Sequence, residues 1–341
     1  LSDSSIRFTL LFKNIIAGRV SVLLQSLLGI ISFTKILLVN RPVNLAISTC
    51  LYPVPIIFLI NIYKKLNPLV NSKLYIYIQG KPSFISSKYY KNPIGWRKFE
   101  SLIRNYIYNH IYVSSTKIIC STQTLKNQIL SKTLIPSESI TVIPNGILKN
   151  PSVKLSYSEL ENPIKAISNY ELYYVGRLTY QKNIDDLIKS YLNSSFRQNY
   201  STRLHIIGNG DLFEYLTSTY EDYREIIFYG FLSNPWSIIP KSSIIIVPSR
   251  WDEPGHVPLE AFSLGHKVFV SLGCSVTDSF PPSLYKLSTF KQDSINLLLE
   301  ELDKRTSNKE WKLVETEISS LIFQYSVINF KTKVRDMLLN C

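Results

Sequence analysis

The chain has 341 residues, of which 45% are hydrophobic, 18% charged and 12% aromatic. That is enough apolar material for two domain cores, and it excludes a disordered or collagen-like chain. The formal charge of +13 sits entirely in one half: residues 1–150 hold 18 Lys/Arg against 3 Asp/Glu, a net of +15, and residues 151–341 hold 20 against 22, a net of −2. Such a field recruits an anionic partner, whether nucleic acid, an acidic lipid surface or a phosphorylated substrate, unless it is only a soluble basic surface.

The four cysteines, at 50, 120, 274 and 341, show no metal-type or redox-type spacing and read as small buried hydrophobes in a reducing compartment. The opening LSDSSIRF carries an early acid and no cationic stretch ahead of an apolar core, so no signal peptide is expected. Val20–Thr34 is uncharged but shorter than the ~20 residues a membrane span needs. Pro42–Tyr63 is long enough but is broken by Pro42, Pro53 and Pro55, and reads as strand, loop and helix start. A cytoplasmic chain, peripheral at the inner face of the plasma membrane through its basic half, is the expectation.

In chain order, Leu10–Leu38 reads as helices, Leu45–Ser48 as a short strand, and Ile56–Leu66 as a helix closing on two lysines. Lys73–Gln79 is a strand with aromatic alternation, Trp96–Tyr112 an amphipathic helix, Lys117–Ser121 a buried strand and Gln123–Ser131 a helix. Ile140–Ile143 is a strand ending in the turn Pro144-Asn145-Gly146. The polar stretch after it is taken as a linker. The boundaries read as 1–150, a linker over 151–168, a second domain over 169–325, and a C-terminal helix over 326–341 that packs back toward the first domain. The second half alternates more regularly: strands over Glu171–Val175, Arg203–Ile207, Ile226–Tyr229, Ile244–Val247 and Lys267–Ser271, and helices over Asn183–Leu192, Leu212–Thr219 and Pro258–Leu264. Two helices, near Ser294–Lys304 and over Lys309–Leu339, close the chain. Strand and helix alternation of this kind predicts an α/β chain with two doubly wound, Rossmann-like domains facing across a cleft, ligands lying at the carboxyl ends of the strands.

The chemistry is therefore sought after each strand. Gly176-Arg177-Leu178 is followed by Lys182, a cation pair around a strand–helix turn that suits a diphosphate, although on spacing alone ordinary surface cations are the simpler reading. Gly208-Asn209-Gly210-Asp211 is a Gly-x-Gly turn, and a lone pattern of this kind marks any tight strand–helix turn. The densest cluster is Pro248–Ala261, PSRWDEPGHVPLEA, with acids at 252, 253 and 260 around a Pro-Gly turn. Glu260 and Asp252 can be a plain helix-start acid and a plain cap, or acceptors for sugar hydroxyls beside backbone amides that meet phosphate.

The ordered set GRL-x3-K, IIGNGD, YGFLSN and VPSRWDEPGHVPLEAFSLG resembles the C-terminal domain of glycosyltransferase family 4, the GT-B enzymes also called glycosyl transferases group 1. KIICSTQTLKNQI and ITVIPNGI resemble the last segments of that family's N-terminal domain, where Asn145 and Gly146 are interdomain residues. The resemblance covers roughly residues 115–275. It implies a retaining enzyme, without cofactor or metal, that moves a sugar from a nucleotide-diphosphate sugar to a glycan or lipid-linked acceptor in cell-surface polysaccharide or lipopolysaccharide synthesis. Arg177 and Lys182 would hold the donor diphosphate, beside Gly176, Gly208 and Asn209. Glu260 would take the ribose, and Gly255, His256 and Val257 would present backbone amides. The family's first acid falls on Asp252 by register, with Glu253 as its rival.

Two departures stand beside this. Family members usually begin with a strand and a Gly-Gly turn, whereas this chain begins at what resembles the next helix, so either an N-terminal truncation or an unusual enzyme is expected. Gln79-Gly80-Lys81 stands where many relatives carry a histidine, and His110 reads as structural. Tyr89, Tyr90, Trp96, Tyr106, Tyr108 and Tyr112 read mainly as packing residues, with sugar stacking as the alternative. The competing function is a catalytically inactive binding or scaffold subunit. A nucleic-acid-binding role lacks the motifs such modules carry, and no nucleic-acid partner is expected.

Overall fold

The computed structural model describes residues 44–49, 73–78, 117–131, 133–147, 171–240 and 243–339. The chain forms two compact units, one of residues 1–120 with 126–142, the other of residues 121–125 with 143–341. The helices expected over Leu10–Leu38, Ile56–Leu66 and Trp96–Tyr112, and the linker, lie outside the described residues.

The described part of the first unit is a parallel sheet, β1 (Asn44–Thr49), β2 (Lys73–Ile78), β3 (Lys117–Cys120) and β4 (Ile140–Val142), its strands adjacent in that order. Ile118, Ile119 and Cys120 are buried in succession, the mark of a strand covered on both faces. Helix α1 (Gln123–Leu130) comes after β3. Thr122 caps it, its hydroxyl accepting from the Leu125 backbone N–H at 3.1 Å. Lys126 and Lys117 donate to the carbonyls of Ile140 and Glu138 at 2.8 and 2.6 Å, fixing α1 and β3 against β4.

The second unit contains β5 (Leu172–Val175), α2 (Ile184–Leu192), α3 (Ser195–Tyr200), β6 (Leu204–Ile207), α4 (Phe213–Thr219), β7 (Ile226–Gly230), β8 (Ile244–Val247), α5 (Val257–Ser263) and β9 (Lys267–Ser271). Then come α6 (Pro282–Ser288), β10 (Thr289–Phe290), α7 (Ile295–Arg305), α8 (Asn308–Leu313), α9 (Glu315–Gln324) and α10 (Val327–Leu339). Its six strands are parallel in the order β10-β9-β8-β5-β6-β7. The chain steps outward from β5 to β7, then returns to lay β8 on the other side of β5. The strand order thus reverses between β5 and β8, the place in an open α/β sheet where ligands meet the carboxyl ends of the strands.

The apolar runs account for the layers. In β8 every residue of IIIV is buried, and in α2 the buried set Ile184, Leu187, Ile188 and Tyr191 follows the helical repeat. Helix α7 packs with α2 and α3, while α5 and α6 pack on β9 and against α9. Trp311 is fully buried, edge-on to Phe269 with centroids 5.8 Å apart, and its indole N–H donates to the Arg305 carbonyl at 2.8 Å.

Three features differ from the sequence reading. The helices α3 and α6 and the two-residue strand β10 are additions to it. The last predicted helix, Lys309–Leu339, is divided into α8, α9 and α10. The break before α10 has a physical use: the Tyr325 carbonyl leaves the helix ladder to accept from the Ile147 N–H at 3.0 Å, and Ser326 caps α10 by accepting from Asn329 N–H at 3.1 Å. Cys120 and Cys274 are both buried.

Candidate active site at the switch between β5 and β8

The turn after β5 begins at Gly176, whose φ of +153° is disfavoured for any side chain. Its N–H donates to the Ile207 carbonyl at 3.0 Å, and the next stitch runs from Leu178 N–H to the Asn209 carbonyl at 2.9 Å. A Cβ on Gly208 would lie 1.8 Å from the Gly176 carbonyl oxygen, and one on Gly210 would lie 2.5 Å from that of Leu178. The Gly-Asn-Gly segment thus lets the turns after β5 and β6 touch backbone to backbone. Arg177 is exposed at the strand end and makes no ion pair among the described residues. Its carbonyl is held by the buried Tyr174 hydroxyl at 2.8 Å, a phenol that burial pushes well above its ordinary range.

A short 3₁₀ turn, Tyr180–Lys182, carries Lys182 toward the loop after β8. There its ammonium meets the Asp252 carboxylate at 2.5 Å, with side-chain exposures of only 12% and 14%. The backbone of Asp252 forms a parallel bridge with Cys274: its N–H donates to the Gly273 carbonyl and its carbonyl accepts from Ser275 N–H, both at 2.9 Å. Gly255, with φ of +83°, lies against this carboxylate; a Cβ there would meet Asp252 Oδ2 at 3.3 Å. A shielded ion pair of this kind is expensive to desolvate unless its remaining valences are used.

Glu253 turns elsewhere. Its Oε1 accepts from the hydroxyls of Ser121 and Thr122, both at 2.8 Å. Burial raises its pKa, with the Ser275, Thr122 and Ser121 hydroxyls opposing the shift and Asp278 adding to it. The structure therefore separates the two neighbouring acids that the sequence leaves as rivals: one faces a cation, the other is engaged by hydroxyls.

His256 precedes α5 and is kept neutral: burial lowers its pKa most, Lys182 adds to the lowering, and Asp252 and Glu260 oppose it. The Asn145 amide nitrogen stands 3.4 Å from His256 Nε2. Gly146 passes α10 closely enough that a Cβ would lie 2.7 Å from that of Phe330. Val257 opens α5, and Glu260 stands in its first turn. Glu260 Oε2 accepts from the Trp236 indole N–H at 3.2 Å, and the Trp236 ring stacks on His266 with centroids 5.8 Å apart. An open groove beside it is lined by Ser233, Asn234, Trp236, Glu260 and Leu264.

The structure thus brings Lys182, Asp252, Gly255, His256 and Glu260 near one another, with Asn145 beside His256 and Arg177 at the end of β5. Gly208 and Gly210 are where the turns after β5 and β6 leave no room for a side chain. Sequence reasoning overlooked Trp236, Ser121 and Thr122, whose partners are 24, 132 and 131 residues away and carry no local signature. Asp185 pairs with Lys189 at 2.6 Å and Asp186 with Arg250 at 2.6 Å, as ordinary ion pairs at a helix start. Gln79, Gly80, Lys81, His110, Tyr89, Tyr90, Trp96, Tyr106, Tyr108 and Tyr112 lie outside the described residues. Among the described residues no group of three or more His, Cys, Asp or Glu could hold a metal ion, and no helix is long and apolar enough to cross a membrane.

The model of the family Glycosyl transferases group 1 matches residues 161–310. An uncharacterized glycosyltransferase of Methanocaldococcus jannaschii is 31% identical over 169 residues, 46% of this chain and 42% of that protein. The UDP-Gal:alpha-D-GlcNAc-diphosphoundecaprenol alpha-1,3-galactosyltransferase of Escherichia coli is 22% identical over 258 residues, 72% of this chain and 65% of that protein. The matched region spans less than half the length of the first of these relatives and just under two thirds of the second. Among solved structures, the apo form of the lipopolysaccharide outer core galactosyltransferase WaaB superposes with a TM-score of 0.65 at 18% identity, over 94% of this chain and 82% of that one. Anabaena HepE in complex with UDP-glucose gives 0.58 at 14% identity, over 87% and 79%. The fold is that of the GT-B glycosyltransferases, and residues 161–310 are similar to the glycosyl transferases group 1.

Proposed function

We propose that the chain is a retaining glycosyltransferase that transfers a sugar from a nucleotide-diphosphate sugar to a glycan or lipid-linked acceptor in cell-surface polysaccharide or lipopolysaccharide synthesis. The observation that carries this reading is the shielded Lys182–Asp252 pair at the point where the sheet order reverses. Relatives named for capsular polysaccharide biosynthesis and for an undecaprenol-linked acceptor agree with it, as does the strong positive charge of residues 1–150, which suits an anionic lipid face or a lipid diphosphate.

The chemical problem is a leaving diphosphate and an oxocarbenium-like sugar centre. Arg177, unpaired among the described residues, and Lys182 supply the positive charge that draws electrons toward the departing phosphate. Asp252 is the acid placed against the donor sugar, with Lys182 as its companion cation. Glu253, already engaged by hydroxyls, is a buttress and not the reacting acid. Glu260, oriented by Trp236 through one oxygen, offers the other to a ribose diol. The backbone amides of Gly255, His256 and Val257 flank the phosphates. Because His256 is neutral, it adds no competing cation. On this reading the chemistry requires neither cofactor nor metal, and the chain works on the cytoplasmic face of the membrane.

The test is binding and turnover across UDP-, GDP- and ADP-sugars, with Arg177→Ala and Glu260→Ala beside the unaltered chain. One donor should be bound and turned over, and both variants should lose it. A chain that binds a donor in the same residues but never turns it over would instead be a scaffold subunit, and a chain that binds none would end the transferase reading.

A further inference from the structure

Lys182 sits on a single 3₁₀ turn, an element too short to hold its own shape, so its position is set by whatever the turn touches. What the turn touches is mainly Arg250. The Arg250 guanidinium donates to the Tyr180 carbonyl at 2.7 Å and to Asp186 Oδ2 at 2.6 Å, and its carbon lies 4.1 Å above the centroid of the Tyr180 ring. Its backbone N–H donates to the Gln181 carbonyl at 2.9 Å. The Gln181 side chain returns the link, donating to the Trp251 carbonyl at 2.9 Å. Behind the loop, the Gln292 amide donates to the Arg250 carbonyl. The guanidinium thus spends its hydrogen bonds on the turn and on the start of α2.

We infer that Arg250 is a positioning residue for the donor diphosphate: it fixes the 180–182 turn so that the Lys182 ammonium stands beside Asp252. A planar fork that hydrogen-bonds along two edges while stacking on a ring is within the reach of arginine and not of lysine. Lysine alone is a flexible four-carbon stem, and without a fixed turn its ammonium samples many positions. The inference rests on the proposed role of Lys182 as a diphosphate ligand.

The experiment titrates UDP, GDP and ADP, and then UMP, GMP and AMP, into the full chain and into Lys182→Ala, Arg250→Ala, Arg250→Lys, Tyr180→Ala and the double variant Arg250→Ala with Lys182→Ala. Arg250→Ala and Lys182→Ala should each weaken the preferred diphosphate about tenfold, leave its monophosphate nearly unchanged, and combine in the double variant to no more than Lys182→Ala alone. Arg250→Lys should rescue little. Tyr180 is 63% exposed, so its removal leaves the fold intact and should cost roughly threefold. If Arg250→Ala does not fold, Tyr180→Ala and Arg250→Lys carry the same comparison. Equal weakening of mono- and diphosphate, or additive losses in the double variant, would assign Arg250 a general structural role and overturn the inference. If Lys182→Ala weakens binding and Arg250→Ala does not, the inference fails while the diphosphate reading stands. If Lys182→Ala leaves every diphosphate unaffected, the reading beneath it fails.

Discussion

The loops after β6 and after β8 look alike in one respect: each places glycine where a strand runs into a helix. After β6 the glycines are consumed by contact. Gly208 and Gly210 bring two turns to backbone distance, and the carbonyl of Gly176 occupies the space where a side chain would begin. After β8 the glycine clears room for a carboxylate, and the surrounding side chains are ionisable groups that see one another: Lys182, Asp252, His256 and Glu260. The lesson is that a glycine pattern at a strand end is a statement about space, and the charges around it decide whether that space serves packing or chemistry.

Altering the packing loop gives the largest expected effect. Gly208→Ala forces a side chain into a carbonyl at a φ of +147°, and should cost about 3 kcal/mol or more, read as a lower denaturation midpoint of the second unit. A stability within about 1 kcal/mol of the unaltered chain would show that the two turns part easily. Altering the chemical loop should do the reverse, sparing stability and removing function. Asp252→Asn should lower donor turnover about a hundredfold or more. It should also leave nucleoside diphosphate affinity unchanged or tighter, because the carboxylate no longer competes with phosphate for Lys182. Weaker diphosphate binding in this variant would mean that Asp252 attracts the ligand, not the sugar alone.

Trp236→Phe keeps the ring and removes the donor to Glu260, and should cost donor affinity about 1 kcal/mol, visible as a several-fold rise in KM with little change in kcat. The smallest effect belongs to Glu253→Gln. Burial raises the Glu253 pKa, so the folded chain binds that proton more tightly than the unfolded chain. Its share of stability is therefore full below the ordinary carboxylate value of about 4.3 and is lost as pH rises through the raised value. The glutamine variant still accepts from Ser121 and Thr122. Its stability should be flatter across that window, and at neutral pH equal to the parent or slightly above it.

These residues also show how far the sequence could be read. Alternating apolar runs place β5 through β9 because a parallel sheet covered on both faces demands continuous burial, as in IIIV of β8. Arg177, Lys182, Asp252 and Glu260 are singled out by the family resemblance, and they lie in the segments beyond the carboxyl ends of β5 and β8. By contrast, α6 is absent from the sequence reading, although Pro282 is its first residue, where its missing N–H is harmless. The break at Tyr325–Ser326 is hidden because it serves a partner, Ile147, far away in the chain. Arg250 lies in plain view inside the acidic cluster, but its task depends on Tyr180 and Asp186, which no local pattern connects to it.

The bridge between Asp252 and Cys274 bears on how such a protein can change. Both backbone groups of residue 252 are committed to the neighbouring turn, so the path of the loop does not depend on the side chain it displays. Substitutions at 252 change the side chain on display while the framework under it stays in place. A lineage carrying this arrangement can lose the acid at 252, or regain it, by single replacements without passing through unfolded ancestors.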